Sequence, residues 1–292
     1  MPEKQKSKAA SAKKHPRLGI IAGGGGLPYA VLDSCIKNKK PFFILAIQGF
    51  TPPDLVEDQP HEWVRLGAVG QAFDILHNEG VTDIVMAGHL RRPSLQEIRP
   101  DARGMQFFAK YGAEILGDDG LLRTVSKELS EEGFNVIGAH EAAEDLLMPQ
   151  GLQTQKGPHA RHKRDIVKGW EIAGLLGEAD VGQSVVLQEG LVLGLEAIEG
   201  TDELMKRCTA LRRAGLLPVL VKRAKPQQDR RIDLPVIGLA TIETARDAGF
   251  AGIAVEAGGA IFLERKSALK AADKVGMFVY GVSEKDLKEF QA

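Results

Sequence analysis

The chain has 292 residues, 43% of them hydrophobic and 26% charged, with a formal net charge of −1. This is the balance of an ordinary water-soluble globular protein, and the length accommodates two domains of about 100–200 residues each. It excludes an overall field that would recruit nucleic acid or an anionic membrane, so any anion must be bound by a local patch. Residues 1–16 are rich in Lys, Ala and Ser and lack the apolar centre of a secretory signal. They read as a disordered basic tail, with a weak electrostatic touch on anionic lipid as the alternative. Cys35 and Cys208 are expected as buried thiols rather than a disulfide. No apolar run approaches the roughly 20 residues of a membrane span.

The first predicted strand is Leu18–Ile21, ending in Gly23–Gly26 and followed by a helix from Leu27 to about Asn38. Pro28 suits the first helical turn, where its missing N–H costs nothing. Strands are predicted at Phe42–Ile47, Trp63–Leu66, Asp83–Ala87 and Phe134–Ile137, and helices at Val69–Asn78, Met105–Ile115 and Leu121–Glu132. Alternating strands and helices predict a parallel, Rossmann-like sheet over residues 17–147. The stretch 148–158 is rich in Gln, Gly and Pro and reads as a short linker. A second α/β domain with a mixed sheet is predicted over 159–292. It opens on a helix at His159–Leu176, and Ser184–Gln188 and Leu191–Leu195 then form a hairpin around Glu189–Gly190. A helix at Asp202–Ala214 takes Thr201 as its N-cap. Pro218–Val221 is a strand and Thr241–Ala248 a helix. Ile253–Glu256 and Ala260–Leu263 read as another hairpin around Gly258–Gly259. A helix at Ser267–Val275 and a strand at Met277–Tyr280 close the domain.

Strand, glycines and helix N-terminus together let backbone N–H groups approach a phosphate, which makes Gly23, Gly24, Gly25 and Gly26 candidates for a nucleotide. A plain tight turn is the alternative. A dinucleotide site fits poorly: the third glycine of its fingerprint falls at Pro28, and the second strand ends in Ile47-Gln48-Gly49 without a ribose-binding acid. No Gly-Lys-Ser/Thr of a Walker loop follows. After the fourth strand, Gly88-His89-Leu90-Arg91-Arg92-Pro93 offers two arginines that can grip phosphate bidentately, or merely a solvated loop. Asp118 and Asp119 can cap the following helix or hold a divalent cation. His159 and His162, three apart on one helix face, lack further ligands at zinc spacing.

The second half is richer. Glu189, Glu196, Glu199 and Asp202 sit at hairpin and helix ends. A strand then feeds Lys222-Arg223-Ala224-Lys225-Pro226-Gln227-Gln228-Asp229-Arg230-Arg231-Ile232-Asp233-Leu234-Pro235, a cationic loop with an acid before a proline. Cations offset charge on phosphate oxygens, and a carboxylate holds Mg²⁺ or orients water. Solvation alone is the alternative. Glu256, ending a strand before Gly258–Gly259, either joins this cluster or reaches solvent.

Taken in order, Ile20-Ile21-Ala22-Gly23-Gly24-Gly25, Gly88 to Pro93, Gly117 to Arg123, Glu189–Gly190, Glu196 to Asp202, and Leu220 through Lys225-Pro226 and Gln228-Asp229 to Asp233-Leu234-Pro235 and Gly238 resemble the LpxI-type UDP-2,3-diacylglucosamine pyrophosphatases. The likeness runs from Arg17 to about Val282. It implies two α/β domains, a Mg²⁺ requirement, a homodimer, and hydrolysis of UDP-2,3-diacylglucosamine to lipid X and UMP. It further implies a lipid-bearing small-molecule substrate, no nucleic acid, and a cytoplasmic protein touching the inner membrane peripherally. The acid of the Asp-x-Pro motif, here Asp233, is implied to be essential. With the loop chemistry above, Asp233 is assigned as metal ligand or water-orienting base, and Lys222, Lys225 and Arg231 as stabilisers of the pyrophosphate. Glu189 and Glu196 are further metal candidates. Gly23–Gly26, Gly88, Arg91, Arg92, Asp119, Thr201 and Gln228 are substrate-binding candidates. A non-catalytic carrier of a nucleotide or acyl sugar is the alternative from another class. The Gly-Asn-His motif of calcineurin-like phosphoesterases and a Nudix box are absent.

Overall fold

The computed structural model describes residues 16–90, 98–112, 120–226, 230–231 and 234–291. The first part contains β1 (Arg17–Ala22), α1 (Leu27–Lys37), β2 (Phe42–Ile47), α2 (Pro53–Val56), β3 (His61–Val64), α3 (Val69–Asn78), β4 (Val81–Ala87), α4 (Ala102–Tyr111), α5 (Gly120–Glu131) and β5 (Asn135–Ile137). The second contains α6 (Ala139–Ala142), β6 (Gly151–Leu152), α7 (Ala160–Glu178), β7 (Ser184–Gln188), β8 (Leu191–Leu195), α8 (Gly200–Cys208), β9 (Val219–Lys222), β10 (Val236–Ile237), α9 (Leu239–Asp247), β11 (Gly252–Glu256), β12 (Ile261–Phe262), α10 (Arg265–Val275), β13 (Phe278–Val282) and α11 (Glu284–Gln291). Contacts divide the chain into two compact units; the second takes in residues 29–31 and 120–126 besides the run from Ile137 onward.

The first unit is a five-stranded sheet in the order β3-β2-β1-β4-β5, with β1, β2, β3 and β4 mutually parallel. Its central strands are apolar runs because both faces are covered: Leu18, Ile20, Phe43, Ile44, Leu45, Ile84 and Val85 are all buried. The chain leaves β1 for β2 on one side and returns to β4 on the other. The carboxyl ends of β1 and β4 therefore flank the topological switch point, where ligands of open α/β sheets lie.

The second unit carries a six-stranded mixed sheet in the order β6-β13-β11-β9-β7-β8 and a separate parallel pair, β10-β12. Strands β9, β11 and β13 are parallel, and β7 runs against β9. Period-2 alternation sorts the side chains. Leu220, Ile253, Val255 and Val186 enter one core with Leu204, Met205 and Ile242. Val219, Val221, Ala254, Val185 and Leu187 enter the other, with Ile166 and Ala173 of α7.

Three expectations are corrected here. Ile253–Glu256 and Ala260–Leu263 are not a hairpin: β11 lies between β9 and β13, while β12 pairs in parallel with β10. Thr201 does not cap a helix, since α8 begins at Gly200 and the Thr201 hydroxyl donates to Glu196. The stretch 148–158 is built into the second unit rather than standing free. The Met148 N–H donates to the Ala260 carbonyl, β6 pairs with β13, and the Thr154 hydroxyl accepts the Val279 N–H.

Candidate functional site

Parallel pairing brings Lys222 of β9 level with Val255 of β11, while antiparallel pairing sets Ser184 of β7 opposite Lys222. Lys222, Glu256 and Ser184 thus share one end of the sheet, together with Glu196 just past β8. Lys222 is only 5% exposed, and its Nζ donates to Thr201 Oγ1 at 2.7 Å. The Thr201 hydroxyl donates onward to Glu196 Oε1 at 2.8 Å and lies 3.3 Å from Ser184 Oγ. The Gln183 N–H donates to the other Glu196 oxygen at 3.2 Å. A buried ammonium needs such partners to offset its lost hydration. The chain Lys222–Thr201–Glu196 supplies them and fixes the cation at the strand end.

Glu256 joins this end, and its place in the cluster is settled by two bonds. One oxygen accepts the Ala224 N–H at 3.0 Å and the other accepts Arg230 Nη2 at 2.9 Å. It clamps both ends of the 224–230 loop. Gly259 has no Cβ because the Glu256 carboxylate occupies that space. Lys225 Nζ donates to Asp180 Oδ1 at 2.7 Å, and the Arg223 guanidinium lies 4.9 Å from the Trp170 ring centroid. The Arg231 backbone passes Gly138, where a Cβ would stand 3.2 Å from the Arg231 Cα. Beside it His140, which the sequence did not single out, has a buried Nδ1 with no partner among the described residues.

Glu189 is not brought to this cluster. It sits at the β7–β8 turn, at the opposite end of β8 from Glu196, and five strand residues separate them by about 17 Å. Glu189 pairs with Arg161, and its N–H donates to Asp165. The two glutamates therefore cannot share one ion. Both oxygens of Glu196 and of Glu256 already accept hydrogen bonds. Among the described residues no group of three His, Cys, Asp or Glu side chains converges as metal ligands. Asp233 and Gln228 lie outside the described residues, as do Arg91, Arg92 and Asp119.

In the first unit, the glycine run and the Gly88–His89 turn, two separate motifs in the sequence, meet at the switch point. The Gly24 N–H donates to the His89 carbonyl at 2.9 Å and the His89 N–H returns to the Gly24 carbonyl at 3.0 Å. The Gly23 N–H donates to Ala87 at 2.7 Å. A Cβ on Gly88 would stand 2.5 Å from the Gly24 carbonyl oxygen, and Gly88 has φ +94°, so glycine is required there twice over. Two of the four amides expected to cradle phosphate are therefore spent on this contact. Gly25 and Gly26 are exposed at the N-terminus of α1, with the His89 ring beside Gly25.

Comparison with known proteins assigns both halves. Residues 17–146 match the family model described as the LpxI N-terminal domain, and residues 149–280 match the LpxI C-terminal domain. The chain is 40% identical over 273 residues to the UDP-2,3-diacylglucosamine pyrophosphatase LpxI of Caulobacter vibrioides, covering 91% of this chain and 97% of the relative.

Proposed function

The chain belongs to the LpxI family, and from that premise we propose that it hydrolyses the pyrophosphate of UDP-2,3-diacylglucosamine to 2,3-diacylglucosamine 1-phosphate and UMP. A water oxygen bonds to one phosphorus, the bond from that phosphorus to the bridging oxygen breaks, and the water proton passes to a base. The observation that carries this reading is Lys222, a buried ammonium held at a sheet end by Thr201 and Glu196. A fixed cation in a poorly hydrated site stabilises charge developing on a departing phosphate, and needs no reorganisation to do so. Lys225 and Arg231 on the adjoining loop add positive charge, and Glu256 holds that loop in register. Within the first unit, Gly25 and Gly26 offer backbone N–H groups at a helix N-terminus to an anion. Asp233 is our choice for the base that orients water.

Mg²⁺ is proposed as a requirement on the family likeness alone, and no step above is routed through it. The test is incubation with UDP-2,3-diacylglucosamine, with Mg²⁺ and with excess chelator, followed by mass analysis of products. UMP and the acyl-sugar phosphate are expected only with Mg²⁺, and Asp233→Ala is expected to lower turnover at least a hundredfold. Near wild-type turnover in Asp233→Ala would defeat the assignment, and tight binding without product would favour a carrier. No helix among the described residues is long and apolar enough to cross a membrane. We read the protein as cytoplasmic and peripheral at the inner membrane, and as a homodimer, which sedimentation would check.

A further inference from the structure

The second unit places an acid where local geometry argues against one. Helix α7 ends in a Schellman turn: the Asp180 N–H donates to the Gly177 carbonyl and the Val181 N–H to the Leu176 carbonyl, each at 3.0 Å. The left-handed position of that turn, with φ +54°, is held by Asp180. Aspartate tolerates this region better than most side chains, but glycine is the usual occupant because it has no Cβ to crowd the backbone. A carboxylate is unfavourable there for a second reason, since it stands against the negative end of the helix dipole. The last turn of α7 carries no basic residue to offset it.

The carboxylate reaches instead to the loop after β9. Asp180 Oδ1 accepts a hydrogen bond from Lys225 Nζ at 2.7 Å. The partners differ in hydration, with the Asp180 side chain 50% exposed and that of Lys225 11%. An ammonium so far withdrawn from water needs an anionic partner. The helix end itself lies close by, because a Cβ on Gly177 would stand 3.1 Å from the Lys225 Cα. Lys225 thus meets both the Asp180 charge and the negative end of α7.

The residues that follow tie this turn to the other arm of the site. Gly182 has no Cβ because the Glu196 carbonyl occupies that space. The Gln183 N–H donates to Glu196 Oε2 at 3.2 Å, and the Gln183 carbonyl accepts the Arg223 N–H at 3.0 Å. Asp180 therefore stands on backbone joined both to the Lys222–Thr201–Glu196 chain and to the start of the cationic loop.

We infer that Asp180 is a positioning residue for the hydrolysis, holding the Lys225 ammonium in place for the pyrophosphate. The inference rests on the hydrolase reading above and names the residue that sets one of its cations. An acid that only closed the helix would be better replaced by glycine, whereas an acid that fixes a cation would not.

Two variants separate charge from strain. Asp180→Asn removes the charge and keeps the side-chain size; Asp180→Gly removes the charge and the strain. Both are expected to lower kcat for UMP release about tenfold with KM within about twofold of wild type, because a misplaced cation is missed mainly in the transition state. Asp180→Gly should nevertheless melt about 1–2 °C above Asp180→Asn, so activity does not follow stability. In a Lys225→Ala background neither change should lower kcat further, since the pair acts as one unit. Independently of turnover, amide hydrogen exchange over Arg223–Pro226 should quicken severalfold in Asp180→Asn. Unchanged kcat in both variants, losses that multiply with that of Lys225→Ala, or unchanged exchange would overturn the proposal. A wild-type protein without turnover would instead sink the hydrolase reading, and the exchange measurement would then decide on Asp180 by itself.

Discussion

His162 has its tautomer set by its neighbours. Nε2 lies 3.1 Å from the Leu217 carbonyl and must donate, which leaves Nδ1 as the acceptor for the His159 N–H at 3.3 Å. A proton on Nδ1 would face that N–H, and burial against Phe278 already holds the imidazole pKa below the ordinary value. The folded state therefore binds the proton less readily than the unfolded chain. This contribution is intact above the unfolded pKa of about 6.5 and is lost as pH falls through the lower folded value. Urea midpoints measured downward from pH 7.5 should decline over that window, and His162→Gln should flatten that decline; an equal decline in the variant would refute it. Glu256 is the corresponding residue for activity. Glu256→Gln keeps an acceptor for the Ala224 N–H and loses the ion pair to Arg230, whose side chain is 59% exposed. The Glu256 side chain is 15% exposed, and a pair with one partner in water contributes on the order of 1 kcal/mol, so thermal stability should move little. Misplacing the cationic loop should nevertheless lower UMP release roughly tenfold, a split that steady-state kinetics beside a melting curve would read. The sequence left Glu256 between cluster and solvent because nothing local says that β11 lies beside β9.

On α7, side chains are removed where the sheet and its loop come closest. A Cβ on Gly169 would stand 2.6 Å from both Leu187 and Val221, one on Gly174 would meet Arg223 at 2.6 Å, and one on Gly177 would meet Pro226 at 3.0 Å. These glycines weaken the helix locally yet let the loop after β9 lie against it. In an open helix Gly→Ala stabilises by roughly 0.5–1 kcal/mol. Here overpacking should reverse the sign, and Gly169→Ala is expected to cost about 1–3 kcal/mol by chemical denaturation; a stabilised variant would show that the packing argument is wrong. The same elements show what period and punctuation can reveal. The Glu189–Gly190 hairpin was legible because two β-rich runs flank a two-residue turn. The false hairpin at Gly258–Gly259 has the same local signature, and only the pairing of β12 with β10 distinguishes it. α2 and α6, four residues each, are too short to show a helical period. The wide separation of Glu189 from Glu196 was implicit in a five-residue strand between them, but a charge-counting reading groups acids by sequence proximity and misses it.

For the whole molecule the question is where the second folding unit begins. Composition places a linker at 148–158, and the family models change over between 146 and 149. The contacts put the last change at Val136–Ile137, with residues 29–31 and 120–126 already belonging to the second unit. Residues just after that point are integral to the second core. Ala139, Ala142 and Ala143 are buried, Met148 is 1% exposed, and Leu147 bridges to Ile261. The Arg265 guanidinium donates to the carbonyls of Asp145 and Leu147, tying this run to the start of α10. A fragment of residues 149–292 would lose the Met148 side chain, for which truncation alone costs about 2–5 kcal/mol, and would leave the Ala260 carbonyl without its donor. A fragment of residues 137–292 retains all of these contacts. It should therefore melt cooperatively at a temperature several degrees or more above the shorter one. Paired melting curves of the two fragments decide the matter: equal midpoints would restore the compositional boundary and make the 137–148 run an accessory rather than a part of the core.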